Sequence, residues 1–377
     1  MKIAIDARVI LSRLTGIGRY TFNLIKYLIK IDMVNNYLIL VNDTENVPDI
    51  LGKNIRFQVK RVKTKPLSLF EHIEIPLILK KENVDIYYCP SYMTPIWVPC
   101  KFVYSLLDLT HLRYPEYFSP FASIYFRTVV RIALRNASKV ITISENTKKD
   151  ITFFFGIPEE KIFVTYLAPL DNFEFSITNT TNTSEILKKF GITKKFILYN
   201  GNKKPHKNII RLIEAFNKFH KLNKNYILVI TGQEKKGSRE TDFCEIKKKV
   251  NNLGLNDYVL YTGYVSDEEL FLLYRTASVF VFPSLYEGFG LPPLEAMACG
   301  CPVVVSNVAS LPEVCGDAAY YVNPYDINDI ARGIQTVVND EKLQKELIEK
   351  GLNRVKLFSW EKSARKILKI FEEVLGE

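Results

Sequence analysis

Apolar and polar positions along this chain fall into two alternating patterns. Short apolar runs at Lys2–Ala7, Tyr37–Val41, Ile55–Val59, Asp85–Tyr88, Lys101–Leu106 and Lys139–Ile143 read as buried strands. Between them Arg19–Lys30, Ser68–Lys81, Pro120–Asn136 and the stretch from Glu145 carry apolar residues at helical spacing. Strands separated by helices imply a parallel sheet covered on both faces. The pattern stops at Asn172–Ser184, NFEFSITNTTNTS, which is polar and aperiodic and reads as a linker. It restarts at Phe196, with a helix from Asn208, a strand at Tyr226–Thr231, a polar loop and a further helix. Strands at Tyr258–Tyr261, Val279–Pro283, Val303–Val305 and Tyr320–Val322 complete the second half. The expected fold class is therefore α/β, two Rossmann-like domains over residues 1–175 and 176–357, with a terminal helix in 358–377. Ligands of such sheets gather at the carboxyl ends of the strands, so a cleft between the halves is the expected site.

Length and composition narrow the classes. A chain of 377 residues suits two ordinary domains, and 47% hydrophobic content suits a globular protein. No apolar run reaches the roughly 18 residues of a membrane span. MKIAIDAR has an acid at Asp6 and no long apolar core, so it reads as a first strand and not a signal peptide, and a cytoplasmic location is expected. Cys89, Cys100, Cys244, Cys299, Cys301 and Cys315 form no Cys-x-x-Cys pair, which argues against zinc and disulfides. The net charge is +10, with 23 Lys+Arg against 17 Asp+Glu up to Phe175 and 28 against 24 beyond it, so the excess is spread and forms no basic block. Nucleic acid is not an expected partner, because no recognisable binding motif accompanies the charge. Attraction to anionic nucleotides or to an anionic membrane surface fits, as does a plain solvated lysine-rich surface.

The chemistry concentrates in Ser284–Gly300, SLYEGFGLPPLEAMACG. A buried strand leads into Gly288-Phe289-Gly290, and Leu291-Pro292-Pro293 opens a helix, since proline is tolerated in a first helical turn. Such a loop points N–H groups and a positive helix end at an anion. Glu287 and Glu295 flank the same place, and carboxylates accept hydrogen bonds from sugar and ribose hydroxyls.

This segment, with its flanks from Gly263 to Pro324, resembles the signature of retaining family 4 glycosyltransferases. That resemblance implies the GT-B fold, with the final helix, apolar at Ile367, Ile370, Phe371 and Val374, crossing back to the first domain. Periodicity alone fits a helix that stays on its own domain equally well. The version EGFGLPPLEAMACG looks most like bacterial mannosyltransferases of O-antigen or polysaccharide assembly, which makes GDP-mannose the leading donor. UDP-hexose or UDP-N-acetylhexosamine is the alternative, followed by an epimerase or a non-catalytic sugar-nucleotide binder on the same fold. The implied acceptor is a glycan or a lipid-diphosphate-linked sugar, with peripheral contact at the inner membrane surface.

Further motifs take roles through the resemblance. Gly16-Ile17-Gly18, in a loop from Arg8 to Gly18, is the expected approach to the donor diphosphate, although a plain turn fits the spacing too. Within Gly201-Asn202-Lys203-Lys204-Pro205-His206-Lys207-Asn208, Lys207 matches the family's phosphate lysine. Asn202 stands where an arginine is usual, so Lys203 or His206 is a candidate for that charge. Leu107 replaces the usual histidine beside Asp108, leaving Asp108 as the acceptor-side contact and His111 as a candidate substitute. Phe118–Arg135 mixes aromatics and arginines, either as a core helix with extended arginines or as a membrane-facing surface. The chain has no Asp-x-Asp, so no metal and no other cofactor is expected; lysines, glycine amides and a helix end are expected to neutralise the leaving diphosphate. Glu287 is expected on the donor sugar and Glu295 on the ribose, with Phe289, Gly290 and Leu291 offering backbone amides and Val265 flanking the base.

Overall fold

The computed structural model describes residues 1–10, 16–42, 55–170, 183–232 and 240–376. They divide into two compact units, Met1–Leu167 with Ser359–Glu377, and Ala168–Phe358. The linker read at Asn172–Ser184 lies almost wholly outside the described residues.

Each unit is built on its own parallel sheet. In the first, β1 (Lys2–Asp6), β2 (Asn36–Val41), β3 (Phe57–Arg61), β4 (Ile86–Cys89), β5 (Lys101–Ser105), β6 (Lys139–Thr142) and β7 (Ile162–Val164) run in the order β3-β2-β1-β4-β5-β6-β7. In the second, β8 (Lys195–Asn200), β9 (Tyr226–Thr231), β10 (Val259–Gly263), β11 (Val279–Phe282), β12 (Val303–Ser306) and β13 (Tyr320–Val322) run β10-β9-β8-β11-β12-β13. β4 and β11, inside their sheets, are buried along their whole length, as expected for a sheet covered on both faces.

The first unit's helices include α1 (Gly16–Ile31), α2 (Glu71–Lys81), α3 (120–136) and α4 (Glu145–Phe155). Acids in the first turn of α2 and lysines in its last complement the helix dipole. Its start lies three residues after the expected Ser68, because Glu71 and His72 donate to the carbonyls of Ser68 and Leu69, three residues back, at 3.1 and 3.3 Å, which makes Ser68–Phe70 tight turns and not α-helix. The α3 segment runs as Pro120–Tyr125, a π-helical turn at Phe126–Val130, and Arg131–Asn136. Ser144 caps α4, its hydroxyl accepting from Thr147 N–H at 3.0 Å.

The C-terminal helix, Trp360–Gly376, belongs to the first unit. Its buried face holds Trp360 against Tyr20 of α1 (ring centroids 6.2 Å) and Phe371 against Tyr88 of β4 (5.4 Å). A hydrogen-bonded chain from Tyr20 through Tyr88 to Ser105 (2.8 and 2.7 Å) supports these rings from below. The same helical period could have buried this face elsewhere; the matching aromatic surface on α1 and β4 decides the place. Among the described residues no helix is long and apolar enough to cross a membrane.

Past the end of β1 lies a fully buried polar cluster. Arg8 donates to both oxygens of Asp6 (2.9 and 2.7 Å), pairs with Glu71 of α2 at 3.0 Å, and Tyr87 donates to Asp6 at 2.8 Å. Burial pushes the Glu71 carboxyl above its usual range despite the pull of Arg8, with Asp6 adding to the rise. A raised folded value means that the folded state holds this proton more tightly. The associated stability is complete below the ordinary glutamate value of about 4.3 and is lost as pH rises through the folded value. Glu71→Gln is therefore expected to flatten that decline. Thermal unfolding of both proteins across this pH window checks it, and a stability difference that does not change with pH would refute the assignment.

Candidate active site

The second sheet changes its direction of winding between neighbouring strands β8 and β11. Loops leaving these strands turn to opposite sides and leave a crevice at the carboxyl ends. The glycine- and lysine-rich loop at 201–208 follows β8, and the loop at 283–290 follows β11. Two motifs far apart in sequence therefore meet. Lys207 Nζ donates to both carboxylate oxygens of Glu287, at 2.6 and 2.8 Å. Their side chains are only 12% and 11% exposed, so the pair is largely withdrawn from water and weakly screened. The ammonium also lies 5.4 Å from the Phe282 ring centroid.

Neighbouring contacts hold the two loops together. Asn208 sits left-handed (φ 62°) at the start of α5 (Ile209–Leu222), a conformation its short amide tolerates. Its Nδ2 donates to the carbonyls of Pro283 (2.9 Å) and Pro324 (2.7 Å), while its Oδ1 accepts from Arg211 at 2.9 Å. Leu285 N–H donates to His206 O at 2.8 Å. The Ser310 hydroxyl lies 2.9 Å from the Glu287 carbonyl and 2.7 Å from that of Phe289, bracing the loop from behind.

Helices α6 (Glu240–Asn252) and α7 (Asp267–Thr276) follow β9 and β10, and α8 (Leu291–Ala298) follows β11. Gly290 opens α8 with φ 100°, a conformation that calls for glycine, and a Cβ there would also require Leu311 Cδ2, 2.5 Å away, to shift. Five residues further on, Glu295 is buried and accepts from Tyr274 of α7 at 3.4 Å. Asn200 donates to the Tyr274 hydroxyl (2.9 Å) and Thr231 donates to Asn200 (2.8 Å), so this acid is linked to the ends of β8 and β9. Burial, with the nearby Glu295 charge, pushes the Tyr274 phenol well above its usual value and keeps it a donor.

The other expected residues fall into distinct places. Val265 is buried just past β10, whose Gly263 carbonyl accepts from Gly232 N–H at 3.0 Å. Lys203 turns toward the end of β9, donating to Gly232 O at 3.2 Å with its ammonium 4.3 Å from the Phe243 ring centroid. Asn202 is exposed, and its Oδ1 accepts from Lys204 N–H at 3.3 Å. Gly288 is buried, Leu291 is half-buried, and Phe289 packs edge-on to Phe358 at 5.8 Å. An open pocket beside the loop is lined by Lys203, Lys204, Asn208, Arg211, Glu214 and Glu245 among others.

In the first unit, Gly16 and Gly18 lie in the first turn of α1 and not in a loop before Arg19; residues 11–15 lie outside the described residues. A helix N-terminus accommodates glycines because its first N–H groups make no intrahelical bond. Asp108 follows β5 and accepts from Thr110 N–H at 2.6 Å, capping a short turn. The His111 ring packs among Phe118 (4.0 Å), Phe126 (4.9 Å) and Tyr92 (6.0 Å), an environment suited to a packing role. Among the described residues no cluster of three His, Cys, Asp or Glu could hold a metal ion. Ser310 and Gly232 escaped the sequence reading, and so did the bracing role of Asn208. Asparagine directly before a helix was a visible signal, but its carbonyl partners stand 75 and 116 residues away.

Two Rossmann-like units, the last helix returned to the first and a paired cation and acid at the second's winding switch, are the architecture of a GT-B glycosyltransferase. Residues 14–168 match the family model described as Glycosyltransferase Family 4, and residues 182–354 that described as Glycosyl transferases group 1. The chain is 30% identical over 376 residues to the O-antigen chain mannosyltransferase B of Escherichia coli, covering 96% of this chain and 97% of that one. It is 32% identical over 220 residues to the O-antigen chain mannosyltransferase RfbU of Salmonella typhimurium, 58% of this chain and 56% of that one. Anabaena HepE, solved in complex with UDP-glucose, shares the fold with a TM-score of 0.79 and 18% identity, over 99% of this chain and 100% of that one. The chain belongs to glycosyltransferase family 4 and is a hexosyltransferase.

Proposed function

We propose that this enzyme transfers mannose from GDP-mannose to a glycan hydroxyl with retention of anomeric configuration, in assembly of a cell-surface polysaccharide. The observation that carries the reading is the Lys207–Glu287 pair at the switch between β8 and β11. It supplies one cation for a diphosphate and one carboxylate for sugar hydroxyls at a helix-opening loop. The mannosyl specificity draws on the Escherichia coli and Salmonella relatives.

In this reading donor binding divides the ion pair. Lys207 turns to the diphosphate and Glu287 accepts from the sugar hydroxyls, so each charge exchanges one partner for another. Glu295 receives the ribose hydroxyls, its connection through Tyr274 holding the carboxylate in place. The bond from the anomeric carbon to the phosphate oxygen breaks as the bond to the acceptor oxygen forms on the same face. The acceptor proton passes to the leaving phosphate oxygen, whose charge Lys207 and the amides opening α8 stabilise. No metal ion is assigned to these steps. Asp108 is assigned to the acceptor, and a lipid-linked acceptor brings the enzyme to the membrane surface.

The test is a panel of GDP- and UDP-sugars with oligosaccharide and lipid-diphosphate acceptors, run with chelator present. An elongated product with GDP-mannose alone is the expected result. Elongation only with a UDP-sugar would overturn the donor assignment, and epimerised donor without transfer would overturn the reaction.

A further inference from the structure

The first sheet has a winding switch of its own, between β1 and β4, so a crevice opens at the carboxyl ends of its central strands as well. The loops that follow β4 and its neighbour β5 each bring one polar side chain there, and each is anchored on one side only. Asp108, half-buried after β5, accepts from Thr110 N–H through Oδ1 at 2.6 Å. Among the described residues nothing donates to its Oδ2. Tyr92, after β4, is held from several directions. Its carbonyl accepts from the hydroxyls of Tyr104 (3.2 Å) and Tyr125 (3.3 Å), and the flanking carbonyls of Ser91 and Met93 each lie 3.2 Å from Cys89 Sγ. Its ring packs against Phe126 (centroids 5.4 Å), His111 (6.0 Å) and Tyr125 (6.5 Å). Its hydroxyl makes no hydrogen bond among the described residues.

A partly buried phenol that is fixed in place and left without a partner costs the protein hydrogen-bonding energy, which a ligand can return. Burial, with the Asp108 charge adding to it, raises the Tyr92 phenol above its usual value, so the hydroxyl stays a donor and lies within electrostatic reach of that carboxylate. A donor and an acceptor in one crevice match the hydroxyls of an uncharged sugar, which both donate and accept. A diphosphate would meet the Asp108 carboxylate instead. Arg113, five residues further on, is committed to Asp150 and lies 5.1 Å from the Phe154 ring centroid. Rigid presentation of Tyr92 also removes the ordering cost that a loose side chain would charge against binding.

We infer that Tyr92 and Asp108 seat the terminal sugar ring of the acceptor, the Tyr92 hydroxyl donating to one sugar oxygen and Asp108 Oδ2 accepting from a neighbouring hydroxyl. Tyr92 is thus a specificity-determining residue for the acceptor. The inference rests on the transfer reaction proposed above for its purpose, and it assigns the uncharged end of the acceptor, not its diphosphate, to this crevice. The experiment compares wild type, Tyr92→Phe, Asp108→Asn and the double variant as full chains. Saturation-transfer NMR with methyl α-mannotrioside and with N-acetyllactosamine reads sugar binding without turnover, and initial rates with the elongated sugar give KM and kcat. Wild type is expected to bind at least one of the two sugars. Tyr92→Phe is expected to raise the acceptor KM about three- to tenfold, the size of one neutral hydrogen bond, with smaller changes in kcat and in the nucleotide-sugar KM. Asp108→Asn should raise the acceptor KM about tenfold or more, because hydrogen bonds to a charged group are stronger. The two effects should fall short of multiplying, since one sugar ring bridges both groups. Among deoxy analogues of the terminal ring, one should bind wild type and Tyr92→Phe equally, a signature that a packing role would not produce. An acceptor KM unchanged by Tyr92→Phe, no analogue that cancels the difference, or a wild-type chain that binds neither sugar overturns the inference. So does a Tyr92→Phe protein that melts lower and loses donor and acceptor binding together. Sugar binding that depends on Tyr92 without transfer from any nucleotide-sugar overturns the proposed activity instead and leaves the seat standing.

Discussion

Lys207→Ala is expected to lower the rate of sugar transfer by roughly 10²–10³-fold, the usual cost of removing one group that stabilises developing negative charge in a water-poor site. Two effects combine. The leaving diphosphate loses its paired cation, and Glu287, 2.6 Å from the missing ammonium, is left in a largely buried loop without a counter-charge. Glu287→Gln is expected to cause a loss of similar size by weakening its acceptance from the sugar hydroxyls. Because the two side chains act as one unit, the double variant should be little worse than either single one. Single-turnover rates for the four proteins of this cycle, with donor in excess, make the measurement. Activity of Lys207→Ala close to wild type, or losses that simply multiply, would remove the pair from the mechanism.

The second large effect is expected from a single methyl group. Gly232 has φ 118°, and a Cβ there would lie 2.1 Å from the backbone oxygen of Gly201. A flexible side chain could yield to such a contact; two strand-end backbones cannot. Gly232 also joins three loops: its N–H donates to Gly263 O at 3.0 Å and its carbonyl accepts from Lys203 at 3.2 Å. Gly232→Ala should therefore cost roughly 3 kcal/mol or more, from backbone strain and overpacking together. It should also shift the 201–204 loop and weaken donor binding. Calorimetry resolves the prediction, because each unit has its own core: the transition of Ala168–Phe358 should fall and that of the first unit should not. An unchanged melting profile would mean that the close approach of Gly201 and Gly232 does not constrain the native fold.

Much of the fold was visible in the order of residues because burial in a parallel sheet leaves a local trace. Tyr226–Thr231 and Tyr320–Val322 are strands at the positions where their apolar runs stand. Helix boundaries were less legible. Tight turns over Ser68–Phe70 delay α2, and the π-helical turn at Phe126–Val130 depends on hydrogen-bond register within α3; side-chain spacing records neither.

The candidate site divides in the same way. The local chemistry of Ser284–Gly300 was open to reading because proline, glycine and glutamate each have few reasons to stand beside such a strand. Lys207 too could be picked out from its loop. What could not be read was their joining: the bidentate contact with Glu287, the bracing by Asn208 and Ser310, and the Gly201–Gly232 approach. Those contacts depend on which strands become neighbours. By itself the sequence determined two α/β halves and the groups able to hold a phosphate and a sugar. The tertiary structure decided that β8 and β11 lie side by side and that Trp360–Gly376 packs on α1, because strand pairing and long-range burial depend on surfaces distant in the chain.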